Sequence, residues 1–115
     1  MNLLYSLSKV GYNMQEITKE VLKFRNDRGW TDNHDVKNLA ISISLEANEL
    51  LECFQWTNAE ESIAKDKQAI VDEMADVLIY LIQMADCMHV NLEKAVKDKL
   101  VKNAIKYPLP EKTAK

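Results

Sequence analysis

Glycine and proline are scarce in this sequence, whose 115 residues include 2 of each. Average usage would supply roughly four times as many. Sandwiches, barrels and open α/β sheets need many tight turns, and so few turn-forming residues argue against all three. The composition favours long helices with few connections, and we predict an all-α fold.

The sequence also lacks an excess of basic residues over acidic ones, and it lacks a long apolar run. Fifteen basic and eighteen acidic residues give a net charge of −3, which is not the basic footprint of a nucleic-acid-binding protein. No apolar run approaches the roughly 20 residues of a membrane span. The first 13 residues, MNLLYSLSKVGYN, lack the basic front end and continuous apolar segment of a signal peptide. We therefore expect neither a nucleic-acid polymer nor a membrane as a partner.

The two cysteines, Cys53 and Cys87, form no CxxC pair and lie within helical patterns. Paired cysteines are typical of oxidising compartments. We interpret both as reduced thiols and expect a cytoplasmic protein.

Apolar periodicity predicts four helices, at about 14–28, 36–56, 59–88 and 92–106. Asp35, Asn91 and either Thr57 or Asn58 are candidate N-caps, and Gly29 is the expected end of the first helix. We assign residues 14–108 to one domain. Residues 1–13 are an N-terminal extension, and residues 109–115 are a C-terminal tail.

The second helix has apolar residues on two faces. Val36, Leu39, Ile43 and Leu50 follow one stripe, whereas Leu45 and Ile41 lie on roughly the opposite side. A helix that is apolar on two faces must be buried on both, which a small monomer can hardly provide. We infer a four-helix-bundle-type fold completed by oligomerisation. Alternatively, Ile41 and Leu45 are ordinary exposed apolar residues.

Acidic pairs stand on two successive helices: Glu46 and Glu49 on the second, Glu73 and Asp76 on the third. Residues at i and i+3 are neighbours on a helix surface, and both pairs border an apolar stripe. If the two helices pack antiparallel, the four carboxylates converge.

Converging carboxylates repel one another unless cations lie between them. All-oxygen ligation suits a hard ion such as Mg²⁺, with Mn²⁺ as a substitute. Helical di-iron sites use Glu-x-x-His pairs, and neither histidine stands three residues after a glutamate. Alternatively, the acidic pairs belong to a solvated surface.

An ExxE pair followed, about two dozen residues later, by an ExxD pair resembles the signature of the MazG-like all-α nucleoside triphosphate pyrophosphohydrolases. The runs RGW, LECFQW, DEMADVLIYL and KNAIKYP also resemble the dCTP-pyrophosphatase branch of that family, in the same order. The resemblance covers about residues 14–108. It departs at Leu45 and Asn48, where the branch often has glycines.

The resemblance implies Mg²⁺ binding by Glu46, Glu49, Glu73 and Asp76, and cleavage of a nucleoside triphosphate between the α and β phosphates. It also suggests Glu49 as the general base. A triphosphate carries close to four negative charges, so divalent ions must lie between it and the carboxylates.

Further positions match the family's substrate-binding residues. Trp30 and Trp56 match aromatic residues that hold the base, and His34 matches a histidine near the base or sugar. Tyr80 stands one turn beyond Asp76, where its ring is suited to pack against the deoxyribose. The polar positions of the family's last helix correspond to Lys99, Asn103, Lys106 and Tyr107. Each also has an ordinary alternative, as a core aromatic residue or a solvated polar one.

The leading hypothesis is a Mg²⁺-dependent enzyme of nucleotide-pool house-cleaning that favours dCTP or related dNTPs. Relatives suggest a homo-oligomer with a dimeric core, paired into a tetramer. The alternatives are action on dUTP or phosphoribosyl-ATP, or a non-catalytic helical oligomerisation module.

Overall fold

The computed structural model describes residues 13–30 and 35–111. Over these residues the chain forms helices and no strand, which confirms the all-α prediction. The helices are α1 (Met14–Asp27), α2 (Val36–Glu52), α3 (Ala59–Cys87) and α4 (Leu92–Lys106). The predicted N-terminal extension, apart from Asn13, lies outside the described residues, as does His34.

Each helix begins at a side chain that accepts a hydrogen bond from the backbone. Asn13, Asp35, Asn58 and Asn91 accept from the N–H three residues later, which satisfies one of the four N–H groups left unpaired at a helix start. Of the two candidates for α3, the structure selects Asn58. Its amide also donates to Glu61 Oε1 at 2.7 Å, so both side chains fix this helix start.

The turn at the C-terminal end of α1 brings Trp30 back against the helix. Gly29 has φ +67°, a left-handed conformation that glycine adopts without steric cost. The N–H groups of Gly29 and Trp30 donate to the carbonyls of Asn26 (3.0 Å) and Arg25 (3.2 Å). This pattern is the Schellman motif, which commonly brings an apolar residue beyond the helix against its last full turn. Here Trp30 contacts Phe24.

Helix α2 ends at Glu52 rather than near Trp56. The N–H groups of Cys53, Phe54 and Gln55 each donate to the carbonyl three residues earlier, so the chain tightens beyond the helix. Trp56 then has φ +70°, which an α-helix does not allow. The apolar pattern continued through Phe54 and concealed this change in backbone geometry.

Helix α3 is divided by a kink at Asp66, whose backbone is extended (φ −160°, ψ 78°). The Asp66 carboxylate accepts from the Ala69 N–H at 3.1 Å and so caps the longer second segment. That segment carries every candidate site residue of α3 on a single uninterrupted helix.

The core lies where α2 and α1 pack against α3. Leu39 on α2 and Ile70 and Ile82 on α3 are its buried apolar side chains among the described residues. The buried Arg25 guanidinium of α1 donates to the Asp86 carboxylate of α3 at 2.9 Å, which fixes α1 against the C-terminal half of α3.

Helix α4 makes only sparse contacts with the other three helices and contains no buried residue. Its apolar side chains are largely exposed: Val96, Leu100, Val101 and Ile105. At 100° per residue these four lie within one half of the helix circumference. An apolar half of this kind is normally covered by another helix. Within the described part of the chain, no helix is both long enough and apolar enough to cross a membrane.

Candidate functional site

Three carboxylates from two helices meet between α2 and α3. Glu46 and Glu49 lie on consecutive turns of α2, and Glu73 faces them from α3. Each offers one oxygen atom, and these three oxygens lie within 4.8 Å of one another. Glu73 follows Glu46 by 27 residues, so the contact requires α3 to return antiparallel along α2. We call these three residues the carboxylate cluster.

Two oxygens of the carboxylate cluster are buried without a hydrogen-bond partner among the described residues: Glu46 Oε2 and Glu73 Oε2. A buried acceptor that makes no hydrogen bond costs about 1–3 kcal/mol. Burial raises the pKa of Glu46 to about 7, and the neighbouring carboxyl groups of Glu49, Glu73 and Asp76 add to the rise. Burial and the charges of Glu49 and Asp76 likewise raise the pKa of Glu73.

Asp76 stands slightly apart from this cluster. It is not among the residues whose oxygens lie within 4.8 Å of one another, yet its charge acts on both Glu46 and Glu73. It also lines the neighbouring cavity. Asp76 therefore joins the carboxylate cluster to that cavity.

The carboxylate cluster fits a hard divalent cation. Metal–oxygen bonds of Mg²⁺ are about 2.0–2.1 Å and those of Ca²⁺ about 2.3–2.6 Å, so oxygens bound to one ion lie up to about 4–5 Å apart. The cation would give the two unpartnered oxygens a partner, and its positive charge would offset the repulsion between carboxylates that adds to both raised pKa values. Such a cation would be held by Glu46, Glu49 and Glu73, with Asp76 close enough to assist.

A cavity of about 620 Å³ opens beside Asp76, between α1 and α3. This volume lies within the roughly 300–1,000 Å³ of small-molecule sites. Its lining residues are Glu20, Val21, Phe24, Trp30, Asp76, Ile79, Tyr80 and Gln83. Five of these eight residues are aromatic or aliphatic, and the carboxylates of Glu20 and Asp76 supply the charge. We call it the aromatic cavity.

Phe24 and Trp30 form the α1 wall of the aromatic cavity. Their ring centroids are 5.8 Å apart in an edge-to-face arrangement, a favourable geometry for an aromatic pair. The Arg28 guanidinium lies 3.3 Å from the Phe24 ring centroid and donates to the Phe24 carbonyl at 3.0 Å. Arg28 therefore covers one face of the Phe24 ring, although Phe24 and Trp30 are each about half exposed.

The structure brings together six of the twelve residues that the sequence singled out. Glu46, Glu49 and Glu73 form the carboxylate cluster, while Asp76, Tyr80 and Trp30 line the aromatic cavity. Their roles stay predictions. His34 lies outside the described residues.

The other five candidates line neither feature. Trp56 is 91% exposed at the turn after α2. The remaining four lie on or just beyond α4: Lys99, Asn103, Lys106 and Tyr107. Among the described residues, α4 makes only sparse contacts with the other helices, and none of these four lines the aromatic cavity.

The sequence analysis selected three of the eight residues that line the aromatic cavity, and Phe24 and Gln83 are among the five that it did not select. Gln83 is the one amide in the run VLIYLIQMA, and it stands seven residues after Asp76. That spacing is two helical turns, so the signal for Gln83 was present in the sequence.

Known proteins resemble this chain in both sequence and fold. The MazG-like family model matches residues 41–115, which include α2 from Ile41, α3 and α4. The dCTP pyrophosphatase 1 of Rattus norvegicus is 34% identical over 101 residues, or 84% of this chain and 59% of that protein. The Homo sapiens protein of the same name is 33% identical over 100 residues, or 83% and 59%. The chain thus spans about three fifths of the length of these relatives.

A solved structure shares the fold. The crystal structure of a pyrophosphatase from Archaeoglobus fulgidus superposes with a TM-score of 0.78 and 44% sequence identity, covering 85% of this chain and 94% of that one. The match to the family model over residues 41–115, the shared fold and the facing carboxylates of α2 and α3 together show that this chain belongs to the MazG-like family.

Proposed function

We propose that this protein hydrolyses deoxynucleoside triphosphates to the monophosphate and pyrophosphate, with Mg²⁺ bound at the carboxylate cluster. The observation that carries the proposal is the adjacency of this cluster and the aromatic cavity, which share Asp76 as a border. The carboxylate cluster suits a cation and the phosphates that the cation attracts, and the aromatic cavity suits a base and a sugar. The names of the relatives support the same reaction class, and dCTP or a related dNTP is the first substrate to test.

The chemistry follows from the charges. Mg²⁺ held at the carboxylate cluster would neutralise phosphate charge and would lower the pKa of a water bound to it. Glu46 and Glu73 would each supply a buried oxygen that has no hydrogen-bond partner among the described residues. Glu49 would also offer one oxygen to the cation; because its side chain is exposed, we assign its other oxygen the role of general base, which accepts a proton from the attacking water. Asp76 completes the acidic set on the side facing the aromatic cavity.

The aromatic cavity supplies the contacts for the nucleoside. The Trp30 ring offers a face on which a base stacks, a contact worth about 1–3 kcal/mol in nucleic-acid systems. Tyr80 lies one turn beyond Asp76 on α3, between the carboxylates and the far end of the cavity. This position suits contact with the deoxyribose.

We also propose that the working enzyme is a homo-oligomer with a dimeric core, paired into a tetramer. Support comes from the apolar half of α4 and from the exposure of Leu45 and Ile41 on α2. Lys99 and Asn103 flank that apolar half. A partner subunit docked there would carry these polar groups into the interface, where lysines can meet the β and γ phosphates as point charges.

The experiment is pyrophosphate release from dCTP, dATP, dGTP, dTTP, dUTP and phosphoribosyl-ATP, each with Mg²⁺ and with EDTA. We expect Mg²⁺-dependent release, highest with dCTP or another deoxynucleotide. Release from no nucleotide would refute the proposal and favour a non-catalytic helical module. Release from phosphoribosyl-ATP alone would keep the reaction class and replace the substrate.

A matched pair of variants tests the site. Glu73→Gln removes a metal ligand and should lower turnover at least 100-fold, while the helical circular dichroism stays unchanged. Glu60→Gln makes the same change at an exposed position in the first turn of α3 and should leave turnover within twofold of wild type. Unchanged turnover in Glu73→Gln would refute the metal assignment.

A further inference from the structure

Glu20 is a charged residue of the aromatic cavity to which the reaction chemistry gives no role. It lines the cavity from α1, and its side chain is exposed. Among the described residues, the Glu20 carboxylate takes part in no hydrogen bond and no ion pair. The nearby Lys23 ammonium, three residues later on the helix, is paired instead with Asp27 at 2.6 Å. The Glu20 carboxylate can therefore accept hydrogen bonds from a ligand that enters the cavity.

The direction of α1 places Glu20 at the end of the aromatic cavity away from the carboxylate cluster. A second cavity, of about 520 Å³, is lined by α1 residues that precede Glu20 and by α3 residues from Ile82 onward. Earlier residues of α1 thus accompany later residues of α3, so the two helices run antiparallel. Glu20 is the first α1 residue to line the aromatic cavity, and Asp76 is the first α3 residue. The two carboxylates therefore stand at opposite ends of it.

The separation of these two ends suits a nucleoside. On α3 the cavity extends from Asp76 to Gln83, a rise of about 10 Å along the helix. A nucleoside monophosphate extends over a comparable length from its phosphorus to the far edge of its base. With the phosphates beside Asp76 at the carboxylate cluster, the far edge of the base would reach the end where Glu20 lies.

The charged groups of the aromatic cavity are all hydrogen-bond acceptors. Glu20 and Asp76 are its two charged residues, and none of the described residues that line it is a lysine, an arginine or a histidine. Two carboxylates repel phosphate, so the cavity favours the part of a ligand that carries hydrogen-bond donors. An ionised carboxylate accepts hydrogen bonds and donates none. An exocyclic amino group on the base therefore complements Glu20, whereas a carbonyl oxygen in the same place does not.

We propose that Glu20 is a specificity-determining residue, whose carboxylate accepts a hydrogen bond from the exocyclic amino group of the nucleobase. This inference rests on the proposed function, because it assumes that a nucleoside triphosphate is the ligand. Cytosine carries an amino group at C4, and uracil carries an oxygen there. The carboxylate attracts the first group and repels the second, so Glu20 selects dCTP over dUTP.

Glu20→Gln tests the carboxylate while it keeps the shape of the side chain. The amide carbonyl still accepts from cytosine, although more weakly than a carboxylate does, and the amide N–H can donate to the O4 oxygen of uracil. We expect the wild-type kcat/KM to be about tenfold higher for dCTP than for dUTP, and the variant to lose most of this preference. Its kcat/KM for dUTP should rise above that of wild type, a change that a merely structural role would not produce.

Glu16→Gln is the matched control, because it makes the same change one turn earlier on α1. Glu16 is exposed as well, but it lines neither the aromatic cavity nor the second cavity. The ratio of kcat/KM for dCTP to that for dUTP should equal the wild-type ratio in this variant. An equal fall of the ratio in Glu16→Gln and Glu20→Gln would refute the inference, because a general change in surface charge would then account for it.

The remaining outcomes separate this inference from the proposed function. A wild-type protein that hydrolyses no nucleotide refutes both. A wild-type enzyme that hydrolyses deoxynucleoside triphosphates but has equal kcat/KM for dCTP and dUTP refutes the inference alone. A ratio in Glu20→Gln that stays at the wild-type value does the same, and so does a fall of the ratio in which dUTP hydrolysis gains nothing.

Discussion

Metal binding at the carboxylate cluster should release a proton, and Glu46 is the group that releases it. Its pKa is raised to about 7 by burial and by the neighbouring carboxyl groups. Below pH 7 the metal-free cluster therefore holds a proton that an incoming cation must displace. A carboxyl group must lose its proton before it can bind a metal ion, so the apparent affinity of the cluster for the ion depends on pH.

The size of the effect follows from the pKa. One unit below a pKa of about 7 the group is roughly nine-tenths protonated, and one unit above it is roughly one-tenth protonated. The apparent affinity for Mn²⁺ should thus rise about tenfold from pH 6 to pH 8.

Isothermal titration calorimetry with Mn²⁺ measures this directly. Titrations at pH 6, 7 and 8 give the affinity, and buffers with different ionisation enthalpies give the number of protons released. Glu46→Gln cannot hold the proton, so its weaker binding should vary less with pH. Equal wild-type affinity at pH 6 and pH 8, with no proton released, would refute the reasoning.

The metal-free protein should show the opposite trend in stability. A carboxyl group whose pKa is higher in the folded than in the unfolded chain stabilises the fold below its unfolded value of about 4.5. That contribution is lost as the pH rises through 7. The shift corresponds to at most about 3 kcal/mol, and solvent screening at a partly exposed side chain reduces it to about 1–2 kcal/mol. In EDTA, urea unfolding should therefore show a lower free energy of unfolding at pH 8 than at pH 5, and Glu46→Gln should remove most of the difference.

Three further predictions concern the fold and its assembly. Arg25→Ala removes a buried guanidinium that pairs with the partly exposed Asp86 and should lower the free energy of unfolding by about 1–3 kcal/mol. Lys23→Ala, in an exposed pair with Asp27, should change it by less than about 1 kcal/mol, and equal values by urea titration would contradict the assigned difference in burial. Leu39→Ala empties a position that is 1% exposed and should cost about 2–5 kcal/mol, and a cost below about 1 kcal/mol would place Leu39 outside the core. Sedimentation should show a dimer or tetramer that Val101→Asp dissociates and Lys102→Asp does not, and a monomeric wild type would refute the oligomer.

The helices were predictable because their signals are local. The caps at Asp35 and Asn91 follow from a side chain reaching a backbone N–H three residues away. Gly29 marks the end of α1 for an equally local reason, its left-handed backbone. The predicted end of α2, near Trp56, was wrong, because apolar periodicity through Phe54 does not reveal where the backbone tightens.

The acidic site was predictable in part. Spacing alone showed that Glu46 and Glu49 share a helix face, and that Glu73 and Asp76 do too. It did not show that Asp76 would stand apart from the other three. That separation depends on the relative rotation of α2 and α3, which local spacing along the chain does not determine.

By itself, the amino-acid sequence determined the helices, their caps and the two acidic pairs, since each depends on residues within a few positions of one another. It also carried the family signature. Only the tertiary structure decided which groups meet: the burial of Glu46 and Glu73, the cavity between α1 and α3, and the amide of Gln83 at its wall. The physical reason is that burial and pKa depend on the neighbouring helix. Helix α4 shows the same principle, because its local pattern predicts an apolar half, and the described residues of its own chain leave that half largely exposed.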